Sequence, residues 1–448
     1  MKKGYTRNLI ILAMMGMGVL PGMPAYAAPP AISAGDAAVL ADGGNQANAI
    51  MRKNQWQDRQ WMQKQVAAGE KMKSEPQETE EKNQAFDASE KIKVSGFHII
   101  GQDIYPEETL RALLSDYQGK DMSFSDLQKG ADRITSFFRS HGYIVARAVI
   151  PQQEVTNGTV IYQVEVGRFD TPEIINHTKI KDTAVQHQAQ AIREGEYVTR
   201  ERLERAVWLV SDMADADARV ALSPGKDPGT VHVRLTVEPY ETKHGLVTAD
   251  NYGSLAMGYN EYGINYDFTN PNLYGDHFMT GISTSGRHMF KWGVNYRTPL
   301  FRDGLNLLAG YNVFSYDMGD EWEIYDGVGT SRTASIGLEY ALRRSRLHNL
   351  YTGLRLEHSR IKDEYRAFDA TYGDKNGNAM VLSLRGDDQD TEGMTDWTLE
   401  WKLGHISNAA FTSDNIYSRW LSGDPRTAGD YSRIRGGYFG KRYLLSSG

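Results

Sequence analysis

The chain has 448 residues, a formal net charge of −7, 24 % charged and 10 % aromatic residues, and no cysteine. That length accommodates more than one domain with a sizeable core. The missing thiols exclude disulfides, zinc–thiolate sites and cysteine nucleophiles, and an acidic balance without a long basic run argues against nucleic-acid binding.

Residues 1–27 read as a secretory signal. Lys2, Lys3 and Arg7 form the positive start, Leu9 to Leu20 the apolar segment, and Ala25-Tyr26-Ala27 the small-residue cleavage pattern. Pro21, Gly22 and Pro24 break the apolar run, which is too short for a membrane anchor. Residues 28–90 follow as an N-terminal helix and linker. Ala37 to Leu40 and Asn48 to Ala67 have helical composition, the second with an imperfect stripe of Ile50, Met51, Trp56, Trp61 and Met62. A helix that docks into a pore and a solvated segment both fit 32–64, while 68–89 reads as linker.

Residues 91–168 read β-α-α-β-β. The expected elements are a strand over Lys91–Ile100, a helix after Pro106 with Glu107 and Glu108 at its positive end, and a second helix capped by Ser123 or Ser125. Gly142 stops that helix, and strands Tyr143–Ile150 and Thr159–Val166 follow, joined by a turn at Asn157-Gly158. Residues 169–240 repeat the plan. Ile174 and Ile180 mark a strand, Ala184–Arg193 and Thr199–Ala214 two helices, and Ala218–Leu222 and Thr230–Val237 two strands.

From 241 to 448 about ten alternating runs suit tilted strands crossing a bilayer. They sit near 243–252, 256–268, 276–286, 288–299, 304–316, 332–342, 349–360, 379–386, 394–406 and 431–445. In one, Phe290, Trp292, Val294 and Tyr296 oppose Lys291, Gly293, Asn295 and Arg297; in the next, Leu308 breaks the polar side. Trp397, Leu399, Trp401 and Leu403 likewise oppose Thr398, Glu400, Lys402 and Gly404, and Leu354 and Leu356 oppose Arg355 and Glu357. Lys291, Arg297, Arg355, Glu357, Glu400, Lys402 and Arg435 are therefore expected to face a water-filled lumen. Of the 25 tyrosines, 17 follow Tyr240, and tyrosine seats at membrane interfaces. Without a long apolar helix beyond residue 27, such a protein must satisfy its backbone as a barrel. A soluble β-sandwich is the competing reading.

No catalytic constellation emerges, and no cofactor or metal is expected. HExxH, Walker A and GxSxG patterns are missing. Asp374-Lys-Asn-Gly-Asn378 has its glycine misplaced for a calcium loop and reads as a hairpin loop, as does Asp387, Asp388 and Asp390.

Gly142-Tyr143, Ala146-Arg-Ala-Val-Ile-Pro151-Gln152, Gly158 and Val164-Glu-Val-Gly167 resemble the end of the first polypeptide-transport-associated (POTRA) domain of two-partner-secretion transporters. Tyr252-Gly253 and Asn270-Pro-Asn-Leu-Tyr-Gly-Asp276 resemble the first barrel hairpins of that family. The resemblance spans 91–445 and implies two periplasmic POTRA domains, a plug helix and an outer-membrane barrel of about sixteen strands. It further implies capture of an unfolded secreted partner (TpsA-like; haemagglutinin, haemolysin or adhesin) by a monomeric pore in lipid, with ATP-free export. Ile434-Arg435-Gly436-Gly437-Tyr438 is superficially similar to the family's lumen-loop motif but lies in an alternating run. The expectation is an incomplete barrel of about ten strands. An outer-membrane protein insertase and a passive porin-like channel remain alternatives.

Capture by strand addition to an exposed sheet edge is the physical candidate, with Ala146, Val149, Gln152 and Gln153 on or beyond such a strand. Packing within the domain explains the same residues equally well.

Overall fold

The computed structural model describes residues 72–73, 91–155, 157–240, 244–251, 257–390, 393–408 and 429–442. The expected signal, N-terminal helix and most of the linker lie outside them, as does Tyr252-Gly253. Met72–Lys73 forms a short strand, β1.

The first module comprises β2 (Ile92–Lys93), β3 (Gly96–Ile100), α1 (Glu107–Ala112), β4 (Asp121–Met122), α2 (Phe124–Ser140), β5 (Arg147–Val149) and β6 (Thr159–Glu165). Its order matches the β-α-α-β-β expectation, with the short pair β2–β4 added. The sheet runs β3-β6-β5, with β3 parallel and β5 antiparallel to the central β6. Helix α2 starts where Ser123 accepts from the Asp126 amide and Asp126 returns the bond, a full capping box. It ends at Gly142, whose φ of 94° is open to glycine. Leu127, Ala131, Ile134 and Phe138 recur at helical spacing and meet Phe97, Ala148, Val160, Tyr162 and Val164 in one core. Asn157 and Gly158, both at positive φ, form the expected turn. The strand expected over Tyr143–Ile150 shrinks to three residues, because Gly142 and Tyr143 are drawn into the contact with the next module described below.

The second module comprises β7 (Arg168–Phe169), β8 (Glu173–Asn176), α3 (Asp182–Gln188), α4 (Arg200–Ser211), β9 (Ala216–Pro224) and β10 (Thr230–Pro239). Central β10 pairs antiparallel with β9 and parallel with β8 and β7, and β1 lies parallel along β9. Thr199 caps α4 by accepting from the Arg202 amide. Leu203, Val207 and Val210 carry the helix's buried face against Val220, Val233 and Leu235.

Ten further strands form one antiparallel meander: β11 (His244–Asp250), β12 (Glu261–Thr269), β13 (His277–Thr284), β14 (Met289–Pro299), β15 (Leu305–Asp317), β16 (Gly327–Arg344), β17 (His348–Tyr365), β18 (Ala370–Gln389), β19 (Gly393–Asn408) and β20 (Gly429–Arg442). Each pairs only with its chain neighbours, giving the arc of a partial β-barrel. The tight turns at 270–276, 300–304 and 345–347 lie at one end. Asp374–Asn378, expected as a loop, is instead strand: its residues pair with Lys362 to His358 in β17, and the turn falls at 366–369. Asp387 and Asp388 are also within β18 rather than in a loop, each paired with β17 and β19. The long strand continues through these polar residues because its ladder, not its hydrophobicity, holds it there.

Candidate functional site

Alternation sorts the sheet into two faces, since residues directly opposite across a ladder point the same way. One face carries Phe278, Ile282, Phe290, Trp292, Ile336, Leu338, Leu354, Leu356, Leu382, Leu399, Trp401 and Ile434, all exposed. The other carries the charges. Arg297, Arg355 and Lys402 share one row with Arg433; Glu400 and Arg435 share another with Glu339; Glu357 and Lys291 fall on rows of the same face. The register thus brings all seven expected wall residues to the face opposite the apolar belt.

Glu357 accepts from Arg355 at 2.7 Å and Lys402 at 2.5 Å, while Glu339 lies 3.4 Å from both Arg297 and Arg385. Lys291 approaches Glu261 at 3.8 Å. Charges of both signs therefore pair with one another along this face. Glu339 and Arg385 escaped the sequence reading. Leu338 and Leu384 beside them flag their strands, and extending the period by one residue would have found both. Val381 and Leu308 interrupt the wall where the sequence expects polarity, and Val381 is buried.

Both edges of the first module carry side-chain hydrogen bonds. Strand β5 is the edge of the first module, but its outward Ala148 amide donates to Thr135 Oγ1 at 2.9 Å, and the Ala146 carbonyl just before the strand accepts from Arg139 Nε at 3.3 Å. Both partners come from α2. Beyond β5, Pro151 has no amide to offer, and the Gln153 carboxamide takes over, bonding the Ile161 amide at 2.7 Å and carbonyl at 2.8 Å. Of the four residues considered for partner contact, Ala146 is fully buried, Gln153 serves this internal pairing, Val149 is half-buried and Gln152 is exposed. At the opposite edge, Glu107 accepts from the Ile99 amide at 3.0 Å, the His98 ring at 2.8 Å and Arg111 at 2.7 Å. The Ile99 amide, then His98 and Arg111, hold that carboxyl down to about 2.

The sequence block carrying the family resemblance joins the modules. The Gly142 carbonyl accepts from the Arg200 amide at 2.9 Å, and the Gly167 carbonyl from Val198 at 2.9 Å. Tyr143 packs edge-on against Tyr197, their centroids 6.1 Å apart. A Cβ on Gly167 would sit 2.6 Å from Val145 and 2.9 Å from Val231, so only glycine permits this approach.

Helices α3 and α4 of the second module seat on the strand turns. The Lys181 amide donates to Leu273 and Ala214 to Gly275, at 2.8 and 3.0 Å. Buried Gln188 bonds the Leu300 carbonyl and the Gly304 amide, and Arg205 pairs with Asp303 at 2.5 Å and the Ala341 carbonyl at 2.8 Å. Arg344 pairs with Asp212. These three turns therefore rest on one helical face, leaving the module's sheet on the far side.

A charged face backed by an exposed apolar belt, with β-α-α-β-β modules seated at one end, is the architecture of an outer-membrane β-barrel with its modules in the periplasm. Two family models match: POTRA domain, ShlB-type, over residues 92–167, and haemolysin secretion/activation protein ShlB/FhaC/HecB over 229–406. The chain belongs to this family of two-partner-secretion transporters. It is 24 % identical over 312 residues to the heme/hemopexin transporter protein HuxB of Haemophilus influenzae, covering 68 % of this chain and 54 % of that protein. It is also 24 % identical over 205 residues to the outer membrane transporter CdiB of Dickeya dadantii, covering 46 % of this chain and 35 % of that one. The chain thus spans about half the length, or less, of the curated relatives it matches. In fold it is similar to CdiB from Escherichia coli, with TM-score 0.63 and 16 % identity over 88 % of this chain and 72 % of that one. CdiB from Acinetobacter baumannii gives 0.53 and 15 % over 89 % and 78 %.

Proposed function

We propose that this protein exports an unfolded secreted partner of the haemagglutinin, haemolysin or adhesin type across the outer membrane. The observation that carries the reading is the seat: the second module rests its helical face on three turns of the strand arc, so a chain delivered by the modules arrives at the charged wall. The wall's mixed charges suit passage of an extended polypeptide, which meets no continuous apolar surface to adhere to. ATP has no part in this scheme, and folding of the partner outside would draw it forward.

Capture by strand addition at β5 is compatible with the geometry only as an exchange. An incoming strand would displace Thr135 from the Ala148 amide and Arg139 from the Ala146 carbonyl, with Gln152 and Val149 as the accessible contacts. Similarity to transporters supports a non-enzymatic role.

The test is secretion. Deleting the gene and restoring it on a plasmid should abolish and then restore release of one large protein into the medium, while the outer-membrane barrel profile stays unchanged. Loss of many barrel proteins from the membrane, with secretion intact, would overturn this reading in favour of an insertase.

A further inference from the structure

We propose that the module-facing rim of the strand arc binds the phosphate groups of anionic phospholipids in the periplasmic leaflet. The inference rests on the outer-membrane placement of the sheet and not on the identity of any exported partner. Strands β15 and β16 are neighbours, so the turns at 300–304 and 345–347 lie side by side at the end of the apolar belt. With the end of β16 they bring together three exposed arginines, Arg302, Arg343 and Arg346. Among the described residues none of the three is in an ion pair; Arg302 lies against the Tyr340 ring, 5.4 Å from its centroid.

The apolar partners are equally placed. Phe301 and Leu347 on these turns and Leu342 at the end of β16 are 67 %, 40 % and 49 % exposed. A β-bulge accounts for this cluster: Ala341 opposes Tyr351 and Arg343 opposes Leu350, so Leu342 is the extra residue and adjoining side chains are both exposed. Both lie one step past Tyr340, Leu338 and Ile336, the belt of their own strand. Aromatic and aliphatic side chains beside arginines, at the level where an apolar belt ends, match a surface of acyl chains capped by phosphates.

Nearby acids do not neutralise the cluster. Asp303 is committed to Arg205, Asp388 to His348, and Glu204 accepts from the Arg346 backbone amide at 3.3 Å. Of these, Glu204 alone is placed to compete with phosphate. The outer rim differs: Arg360 and Lys362 there pair with Asp374 and Glu364. A cation near an anionic bilayer surface favours that surface by about five-fold, so three together give a readable preference.

The experiment uses the full chain in nanodiscs of phosphatidylcholine with a minor share of phosphatidylglycerol, measuring the lipid retained on the protein by native mass spectrometry. Retained lipid should be enriched several-fold in phosphatidylglycerol, and the triple variant Arg302→Gln/Arg343→Gln/Arg346→Gln should fall to the input ratio. The corresponding triple Lys variant should keep the enrichment, and Arg332→Gln/Arg360→Gln on the outer rim should leave it unchanged. Equal enrichment in native protein and Gln variant, or no enrichment in the native protein, would overturn the proposal. So would loss of the enrichment in millimolar inorganic phosphate, which would assign the site to a free anion. Should the Gln variant not fold, the Lys variant and the phosphate competition decide.

Discussion

Arg344 and Asp212 meet across the seat as a two-pronged ion pair, Nε to Oδ2 at 2.6 Å and Nη2 to Oδ1 at 2.7 Å. The arginine ends β16 and the aspartate follows α4, 132 residues earlier in the chain. Its guanidinium also lies over Trp208, 5.0 Å from the ring, and donates to Asn349 at 2.9 Å. Arginine's planar fork suits this geometry, and lysine could not reproduce it.

Removing one partner should loosen the module from the strand arc. Asp212→Ala leaves the guanidinium largely out of water, and the loss should be about 2–3 kcal/mol, below the upper range for buried pairs because Asp212 keeps 28 % exposure. Limited proteolysis between the second module and the strand arc should accelerate accordingly, and the swapped double variant Asp212→Arg/Arg344→Asp should restore part of the protection. Unchanged cleavage in Asp212→Ala would show that the main-chain bonds and Gln188 suffice.

Gly130 sits inside α2, where alanine is normally favoured by about 1 kcal/mol. Here the added Cβ would lie 2.5 Å from the Tyr162 hydroxyl and 3.3 Å from Leu114. That hydroxyl is buried and donates to the Leu127 carbonyl at 2.8 Å, so it has nowhere to retreat. Gly130→Ala should therefore destabilise the first module by about 1–3 kcal/mol. A double-mutant cycle with Tyr162→Phe, read by urea denaturation, should show coupling that offsets part of this loss.

Gln153→Ala should leave the Ile161 amide and carbonyl without partners. The expected loss is about 1–3 kcal/mol, against near-neutrality for Gln152→Ala at the exposed neighbouring position. Hydrogen exchange at Ile161 distinguishes the two, because faster exchange should follow only the Gln153 change.

Glu107 should make the first module acid-sensitive. Its carboxyl is held at about 2 against an ordinary 4.5, so the folded state binds fewer protons than the unfolded chain between these values. Its stabilising contribution is present above pH 4.5 and is lost as pH falls through about 2. Pepsin pulse proteolysis across that range should show rising cleavage in the native chain and a flatter profile in Glu107→Gln.

Glu339 lies between Arg297 and Arg385 on the charged face, so Glu339→Gln leaves two arginines with less counter-charge. In planar bilayers under a salt gradient the variant's reversal potential should move toward anion selectivity. No shift would place this part of the wall away from the conducting path.

Much of the architecture was legible because two periods, 3.6 and 2, separate the modules from the strand arc. Ser123, Thr199 and Gly142 announce their helix boundaries through groups that need a cap or a positive φ, and those signals are local. What escaped was relational. Nothing in the sequence around Pro151 reveals that Gln153 supplies the missing pairing, since Ile161 is eight residues away. Asp374 to Asn378 looked like a loop because strand continuation past the membrane is decided by ladder partners in β17, not by the stretch itself. The seat was invisible for the same reason: Gln188, Arg205 and Asp212 read as ordinary helix-surface polars until the turns are brought to them. Ala146 and Gln153, considered for partner contact by their position near an edge, are tied up by α2 and β6.

The hydrogen bonds that α2 makes to the edge at β5 would set a time scale for the proposed capture. A polypeptide strand pairing there exchanges two internal hydrogen bonds for two new ones, so its net gain comes from side-chain contact and not from the ladder. Binding of that kind is weak per segment, and weak binding at ordinary encounter rates means rapid departure. Under the proposed capture, a surface that holds each passing segment briefly and none for long would act as a brake, slowing premature folding of a translocating chain without becoming its destination.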